Sequence, residues 1–325
     1  MVRTLNGDDP ALTPQPLLLK SLLFLESVYK SYGLKLVLDN VDLSVSPGEL
    51  CTVVGPSGCG KSTLLRLIVG QEQATKGKVL IDHEPSVIPD PRRGIVYQQY
   101  SLFPHLRVLD NVILGQRLTL NWANWFKRKK ACREEGMEFL SRVGLKEHWN
   151  KYPFELSGGM QQRVSIAQTL IMKPKVVLMD EPFGALDPGT REHLQVFLLE
   201  LWETFKMTVF FVTHDLEEAA YLGTRVVVLS QYYRDDRGDG PTVKRGAKIV
   251  ADYPLPRTAT STSVKTQKEF AEFVAEIRRE GFDPQYSKHV SEFNLKHQDS
   301  FQTLTHDEYH QDRGQELGSA AKPKT

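Results

Sequence analysis

The chain has 325 residues, with 41 basic and 40 acidic side chains and a formal net charge of +1. This length suffices for one large domain or two smaller ones, and the near-neutral charge gives no general field that would hold a nucleic acid. The most apolar early run, at residues 17–25, is interrupted by a lysine and is far shorter than the roughly 20 residues that a membrane-spanning helix needs, so we expect no such segment.

The N-terminus and the cysteines bear on the compartment. The first ten residues contain a single arginine and no apolar stretch follows directly, so we expect no secretory signal. The three cysteines, Cys51, Cys59 and Cys132, have neither metal-ligand spacing nor a disulfide pattern. We therefore expect a protein of the reducing cytosol.

Apolar runs and turn residues predict alternating strands and helices. The predicted strands comprise residues 24–29, 36–45, 50–54, 79–82, 94–98, 176–179, 207–212 and 225–230. Helices are predicted after residue 60, over a mostly helical stretch at 108–143, and after Ser157, Asp187 and Asp215. This order favours an α/β nucleotide-binding core with antiparallel strands at its N-terminal side and a helical insertion in the middle.

A glycine-rich loop lies between a predicted strand and a predicted helix. It fits G-x-x-x-x-G-K-[ST] and consists of Gly55, Pro56, Ser57, Gly58, Cys59, Gly60, Lys61, Ser62 and Thr63. Its backbone N–H groups can surround nucleotide phosphates, Lys61 can bridge β- and γ-phosphate oxygens, and the Ser62 hydroxyl can ligate Mg²⁺. The flanking elements argue against a chance glycine-rich turn. We call residues 55–63 the phosphate loop.

Two carboxylates, Asp180 and Glu181, follow the strand predicted at 176–179. They are expected at the carboxyl edge of the sheet, where open α/β sheets bind ligands. Asp180 is suited to the Mg²⁺ shell, whereas Glu181 can polarise a water aimed at the γ-phosphate. Alone, such a pair is more often a solvated strand end. The phosphate loop in the same chain favours the catalytic interpretation.

A second candidate anion site begins in the sequence LSGGMQQR, although one nucleotide hardly needs two phosphate sites. Ser157, Gly158 and Gly159 open a predicted helix whose first N–H groups are free to meet an anion. Alternatively, Ser157 caps its own helix, which is worth about 1 kcal/mol, and both roles can hold at once. We call residues 156–161 the signature loop.

These motifs and their order, over residues 24–230, resemble the ATPase subunit of ABC transporters. The resemblance implies an α/β fold: a P-loop NTPase of ABC type with a RecA-like mixed-sheet core, an antiparallel β subdomain and a helical subdomain. It implies hydrolysis of ATP with Mg²⁺. It also implies a head-to-tail dimer, in which Ser157, Gly158, Gly159 and Gln161 bind ATP that a second copy of the chain holds.

Further positions match the family one at a time. Tyr32, in VYKSYG, matches the aromatic residue that stacks on adenine, although such a tyrosine is more often a packing residue and Tyr29 is a nearby competitor. Gln98, in IVYQQYSLFP, matches the loop glutamine that touches Mg²⁺ or water, whereas Gln99 departs from the acidic residue usual there. His214, in FFVTHD, matches the switch histidine that reaches the γ-phosphate.

Two more positions concern the helices of the site. Asp187, in GALD, matches the dimer-facing aspartate, and its position also makes it a good helix N-cap. Gln168 replaces the arginine that the family usually has in the helix of the signature loop, so one interaction of that helix differs.

The resemblance also implies partners. Without a spanning segment of its own, the chain would drive separate transmembrane permease subunits. These subunits would bind near residues 98–107 and the helical lobe, and the chain would be a peripheral protein at the cytoplasmic face of the membrane. Phrases such as DEPFGALDPGTRE resemble the importer branch for nitrate, sulfonates and taurine, which implies a solute-binding protein as an indirect partner.

Two alternatives remain. The first is a non-transport ABC ATPase acting on nucleic acid or ribosomes; the single phosphate loop, the neutral charge and the lack of heptads argue against it, so no nucleic acid is expected as a partner. The second is a non-catalytic ATP-binding module, which Glu181 and His214 argue against. The aromatic and basic residues at 121–130 fit a nucleic-acid or membrane patch less well than a solvated helix start.

We expect three parts: a flexible N-terminus at 1–20, an ATPase domain at 21–255 with a helical lobe at about 100–173, and a C-terminal extension at 256–325. Apolar positions at helical spacing predict one helix at about 265–280 that docks on the core, followed by a disordered tail. In that tail, His306, Asp307 and His310 could ligate a metal but more often belong to a solvated segment.

Overall fold

The computed structural model describes residues 2–3, 14–238, 245–255 and 267–305. Within these ranges, no helix combines the length and the apolar character that crossing a membrane requires. His306, Asp307 and His310, the candidate metal ligands of the tail, lie outside the described residues.

A seven-stranded sheet forms the centre of the molecule, in the order β14-β12-β10-β4-β9-β8-β7. Its strands are β4 (Leu50–Val54), β7 (Arg93–Val96), β8 (Val176–Asp180), β9 (Thr208–Val212), β10 (Arg225–Ser230), β12 (Lys248–Pro254) and β14 (Asn294–Leu295). Neighbouring strands are parallel in the series β7, β8, β9, β4 and β10, and β12 pairs antiparallel to β10. The inner strands are continuous apolar runs because both faces of the sheet are covered.

Successive residues of the inner strands face two different cores. Val177 and Met179 of β8 join the helices on one side, whereas Val176 and Leu178 join a core with the antiparallel strands on the other. The flanking helices are α2 (Lys61–Val69), α6 (Gly158–Leu170), α7 (Pro188–Phe205) and α8 (Leu216–Leu222). The carboxyl ends of the parallel strands therefore lie between two packed layers.

A four-stranded antiparallel sheet covers the second core. It consists of β2 (Leu23–Tyr32), β3 (Lys35–Val45), β5 (Lys76–Ile81) and β6 (Glu84–Pro85). A two-residue turn joins β2 to β3, and Gly33 there has a φ of 57°, a conformation that glycine adopts without strain. The predicted antiparallel strands at the N-terminal side are thus confirmed.

The stretch predicted as mostly helical consists of three helices: α3 (Val108–Val112), α4 (Leu114–Thr119) and α5 (Trp122–Arg142). The side chain of Asn121 caps α5 by accepting from the N–H of Asn124, as the helix start predicted there requires. Trp122 and Phe126 are exposed on α5. The two rings are in contact, and Phe126 lines a groove of about 800 Å³ together with Leu109, Met137 and Trp149.

The C-terminal extension packs on the core. Its helix α9 (Lys268–Phe282) places Val274 and Ile277 against β10 and β12, as the predicted stripe requires. The short strands β11 (Tyr233–Arg234) and β13 (Lys288–His289) pair with each other, and β15 (Gln302–Thr303) pairs with β1 (Val2–Arg3).

Two predictions about the ends are wrong. The expected flexible start contains helix α1 (Pro14–Lys20), because Leu17 packs against Phe24 and Phe301. The tail expected to be disordered after the helix is ordered over residues 283–305, where Phe301 stacks on Phe24 with ring centroids 5.2 Å apart. Local sequence does not reveal these contacts, because Leu17 and Phe24 pack against Phe301 from the other end of the chain.

Candidate functional site

The phosphate loop turns from β4 into α2 and depends on its glycines. Gly58 and Gly60 have φ values of 77° and 113°, in the left-handed region that side chains with a Cβ rarely adopt. At Gly55, a methyl group would lie 2.1 Å from the carbonyl oxygen of Leu229. The loop is therefore closely fitted between β10 and the start of α2. Burial raises the pKa of the Cys59 thiol beneath it, so this side chain stays protonated and fills space.

Lys61 is buried at the first position of α2 and turns back into the loop. Its Nζ donates to the carbonyl oxygens of Gly55, at 2.8 Å, and of Pro56, at 3.2 Å. Gly60, which precedes the helix, offers no side-chain cap, so the first N–H groups of α2 are free for an external acceptor. A buried ammonium group and a helix N-terminus together form a site for a phosphate.

Two oxygen ligands suited to a divalent cation meet beside the loop. The Ser62 hydroxyl donates to Asp180 Oδ1 at 3.3 Å, across from α2 to the end of β8. Burial, and to a lesser degree the neighbouring charge of Glu181, raise the pKa of Asp180. The hydrogen bond from the Ser62 hydroxyl acts in the opposite direction and lowers this pKa. A hydroxyl and a carboxylate are hard oxygen donors of the kind that Mg²⁺ prefers, so the donor set fits this ion.

Gln98, the third predicted metal contact, follows β7 at the same edge of the sheet. Among the described residues, it forms no hydrogen bond with Ser62 or Asp180. Its amide instead lies next to the turn after Glu181, where a methyl group at Gly184 would be 3.2 Å from Gln98 Nε2. The structure thus places Gln98 beside the turn that follows Glu181 rather than on the Ser62–Asp180 pair.

Glu181 and His214 come into direct contact. Glu181 Oε2 lies 3.0 Å from His214 Nδ1, and an ionised carboxylate can only accept, so Nδ1 carries the proton in this contact. Glu181 has a φ of 45°, unusual for this residue type, and its N–H donates to Val212 O at 2.9 Å. Strained backbone of this kind is concentrated at functional sites. The arrangement offers a base and an imidazole at one edge of the sheet.

The signature loop lies at the start of α6. The Ser157 side chain accepts from the N–H of Met160 at 3.4 Å, so its capping role is real. Methyl groups at the two glycines would collide: one at Gly158 lies 2.7 Å from Tyr100 Oη, and one at Gly159 lies 2.5 Å from Thr190 Cγ2. Close packing, which the sequence does not reveal, is therefore a second reason for these glycines.

Two polar side chains fix the ends of the neighbouring loops. Gln161 Nε2 donates to the carbonyl oxygen of Leu156 at 3.1 Å and so holds the signature loop from within. Asp187 Oδ1 accepts from the N–H of Thr190 at 3.0 Å and caps α7, which lowers the pKa of Asp187. The predicted N-cap is confirmed.

Tyr32, the residue expected to stack on adenine, ends β2 and is 44% exposed. Its hydroxyl donates to Glu72, and Lys30 Nζ lies 4.9 Å from the ring centroid. Tyr29, the competitor, has Lys76 at 6.0 Å from its ring. An exposed ring held at its hydroxyl end can offer a face to a planar ligand.

The phosphate loop and the signature loop of one chain remain apart. No hydrogen bond or ion pair joins residues 55–63 to residues 156–161 in the described part of the chain. Helix α6 packs on α3, α5, α7 and β7, whereas α2 packs on β5, β8 and β9. The residues brought together are those of the phosphate loop, the two acids and His214.

The residues behind His214 are not apparent from the sequence. Thr213 Oγ1 donates to Glu218 Oε2 at 2.5 Å, and Gln195 Nε2 donates to Glu218 Oε1 at 3.1 Å, all three being buried. The one available signal was the spacing: Glu218 lies three residues after the N-cap Asp215, on the face of α8 that turns inward.

Comparisons with known proteins agree with this geometry. The model of the ABC transporter family matches residues 38–184. An uncharacterized ABC transporter ATP-binding protein of Methanocaldococcus jannaschii is 47% identical over 226 residues, which cover 68% of this chain and 78% of that protein. The aliphatic sulfonates import ATP-binding protein of Bacillus cereus is 40% identical over 227 residues, which cover 70% and 83%.

A solved structure is also similar. It is a dimeric post-hydrolysis state of an ATP-binding cassette bound to ADP and Pi, with a TM-score of 0.57 and 31% identity. The match covers 73% of this chain and 100% of that one.

Proposed function

This chain belongs to the ATP-binding proteins of ABC transporters, and we propose that it powers the import of a small anionic solute through separate membrane-spanning subunits. The chain is an ATP hydrolase of this family. One observation gives the strongest support to catalysis by this chain. Glu181 and His214 lie 3.0 Å apart at the strand edge that also holds the Ser62–Asp180 pair.

The proposed roles follow from these positions. The phosphates of ATP bind the N–H groups of the phosphate loop, and Lys61 reaches the β- and γ-phosphates. Ser62 and Asp180 would hold Mg²⁺, which would neutralise charge on the phosphates, and Gln98, beside the turn after Glu181, would contact the ion or a water. Glu181 accepts the proton of the attacking water, and His214 orients Glu181 and the γ-phosphate. Tyr32 stacks on the adenine ring.

The second phosphate site is assigned to a second copy of the chain. Ser157, Gly158 and Gly159 present helix N–H groups that no acceptor in the phosphate loop of the same chain reaches. In a head-to-tail dimer, they close on ATP held by the partner, with Gln161 fixing the loop and Asp187 at the interface. The similar cassette solved as a dimer supports this arrangement.

The membrane subunits are proposed to dock on the helical lobe. The groove of about 800 Å³ between α3 and α5 has an apolar wall of Leu109, Phe126 and Met137, bordered by Lys129 and Arg133. One wall of the groove is on α3, which directly follows residues 98–107 in the sequence. This position supports a peripheral location at the cytoplasmic face. The proposed division of the chain is an N-terminus at 1–20, an ATPase domain at 21–255 and a C-terminal extension at 256–325.

The solute class rests on relatives. Several similar proteins carry the name of aliphatic sulfonates import ATP-binding protein, at 40 to 43% identity. We therefore propose a sulfonate or a related small anion, delivered by a solute-binding protein.

The test is to purify the tagged chain from membranes of its own organism, identify the spanning subunit that accompanies it and reconstitute the complex. ATP hydrolysis stimulated by an alkanesulfonate supports the proposal. Recovery of ribosomes or nucleic acid instead of a spanning subunit contradicts it.

A further inference from the structure

The residues on both sides of His214 are held by side chains. The Thr213 hydroxyl donates to Glu218 at 2.5 Å and accepts from the N–H of Asp215 at 3.1 Å. The second bond closes a short ring around the backbone of His214 itself. Because an ionised carboxylate can only accept, Glu218 forces the Thr213 proton toward itself and leaves an oxygen lone pair facing Asp215. Glu218 thus sets the direction of the hydroxyl that shapes the His214 turn.

Helix α7 contacts both Glu218 and Asp215. Gln195 Nε2 donates to Glu218 Oε1 at 3.1 Å, and Arg191 Nη1 lies 3.4 Å from Asp215 Oδ2. Arg191 and Gln195 are four residues apart and so lie on one face of α7. The same helix begins at Asp187, and its Thr190 touches the position of Gly159 in the signature loop. The first two turns of α7 therefore connect the signature loop to the His214 turn.

A buried carboxylate at this point is costly. Glu218 is only 4% exposed and Gln195 1% exposed, and burial raises the pKa of Glu218 while the bonds from Thr213 and Gln195 lower it. An apolar side chain would pack α8 against α7 without that cost. What the acid adds is direction: two fixed hydrogen bonds, one to the residue before His214 and one to α7.

We propose that Glu218, itself oriented by Gln195, is a positioning residue that holds His214 in its contact with Glu181. This inference rests on the proposed role of His214 in hydrolysis. It predicts that disturbing the Thr213–Glu218–Gln195 chain slows the chemical step and leaves ATP binding unchanged, because in the described part of the chain the side chains of Thr213 and Glu218 form their hydrogen bonds with each other, Asp215 and Gln195 and not with the phosphate loop.

The test compares paired variants of the full chain. Glu218→Gln keeps the shape of the side chain, but its amide N–H₂ must then face either the Thr213 hydroxyl or the Gln195 amide, which are both donors toward Glu218. We expect kcat to fall by about tenfold or more, with an unchanged KM for ATP. The swap of Glu218→Gln with Gln195→Glu restores a donor facing an acceptor and recovers most of kcat. An unchanged kcat in Glu218→Gln, or a swap no better than the single variant, overturns the proposal.

A second pair serves if the Glu218 variants fold poorly. Thr213→Val has the same shape as threonine but no hydroxyl and is expected to lose kcat in the same way, whereas Thr213→Ser keeps the hydroxyl and the activity. Equal activities of these two variants overturn the inference.

The His214→Ala background separates this inference from the proposed role of His214. If Glu218 acts through His214, adding Glu218→Gln to His214→Ala lowers kcat no further, whereas a merely structural role adds its full loss. If His214→Ala alone leaves kcat unchanged, it is the proposed role of His214 that fails.

Discussion

Glu181 Oε2 and His214 Nδ1 are 3.0 Å apart, and the two residues follow the ends of neighbouring parallel strands, β8 and β9. This pairing brings a carboxylate from one strand end and an imidazole from the next to the edge where the phosphate loop opens. The imidazole proton on Nδ1 orients the carboxylate, so that its other oxygen can accept a proton from water.

Replacing Glu181 by glutamine removes the proposed base while keeping the size of the side chain. We expect Glu181→Gln to bind ATP as the wild type does and to lose at least about 100-fold in kcat. Because ATP then persists between the two copies, the variant should accumulate as a dimer. Light scattering with ATP measures the dimer, and release of inorganic phosphate measures kcat.

The matched control is Glu200→Gln, an exposed acid on α7, which should retain activity and accumulate no more dimer with ATP than the wild type does. A Glu181→Gln protein that remains monomeric with ATP contradicts the assignment.

Lys61 tests the phosphate loop itself. Lys61→Ala removes the buried ammonium group that faces Gly55 and Pro56, and we expect ATP to bind about 10- to 100-fold more weakly, the usual value of a charge-assisted hydrogen bond. Calorimetric titration with ATP gives the affinity. Lys146→Ala, at an exposed position of the helical lobe, should bind like the wild type. Equal affinities for all three proteins would remove Lys61 from the phosphate site.

Asp42 predicts a pH dependence of stability. It is buried on β3 and accepts from the N–H groups of Ser27 and Thr303, and burial raises its pKa from 3.8 to about 6. Between these values, the unfolded chain has lost the proton that the folded chain keeps, so a rise in pH favours unfolding. Stability from this group is complete below about pH 4 and is lost as the pH rises through 6.

Urea unfolding at several pH values measures this effect. Asp42→Asn should lose less stability than the wild type between pH 4 and 6.5, a difference on the order of 3 kcal/mol. Parallel curves for the two proteins rule out a raised pKa at Asp42.

Phe301 tests the docking of the segment at residues 299–305. It is 4% exposed and stacks on Phe24, so Phe301→Ala should destabilise the protein by about 3 kcal/mol without changing kcat at low temperature. Phe154, which is 74% exposed, is the control, and Phe154→Ala should cost less than about 0.5 kcal/mol. The denaturant midpoint reports both. Equal midpoints for the two variants would mean that the segment does not dock as described.

Much of the fold follows from local signals. The strand at 50–54 and the helices that start at Lys61, Gly158 and Pro188 lie where apolar runs, glycines and caps predict them, because these signals act within a few residues.

The remaining features depend on distant partners. The bond from Thr303 to Asp42 joins residues 261 positions apart, and the polar sequence around Thr303 gives no sign of it. Glu218 is similar, since an acid on a helix is usually solvated and only the positions of Thr213 and Gln195 explain its burial.

If two copies of the chain share each ATP, the ATPase activity per chain depends on protein concentration, and measuring this dependence is the most direct test. We expect the activity to fall on dilution as the dimer dissociates, and Ser157→Arg, which blocks the signature loop, to abolish it at every concentration. Activity per chain that stays constant at dilutions where light scattering detects only monomers, and that survives Ser157→Arg, would contradict this sharing of ATP.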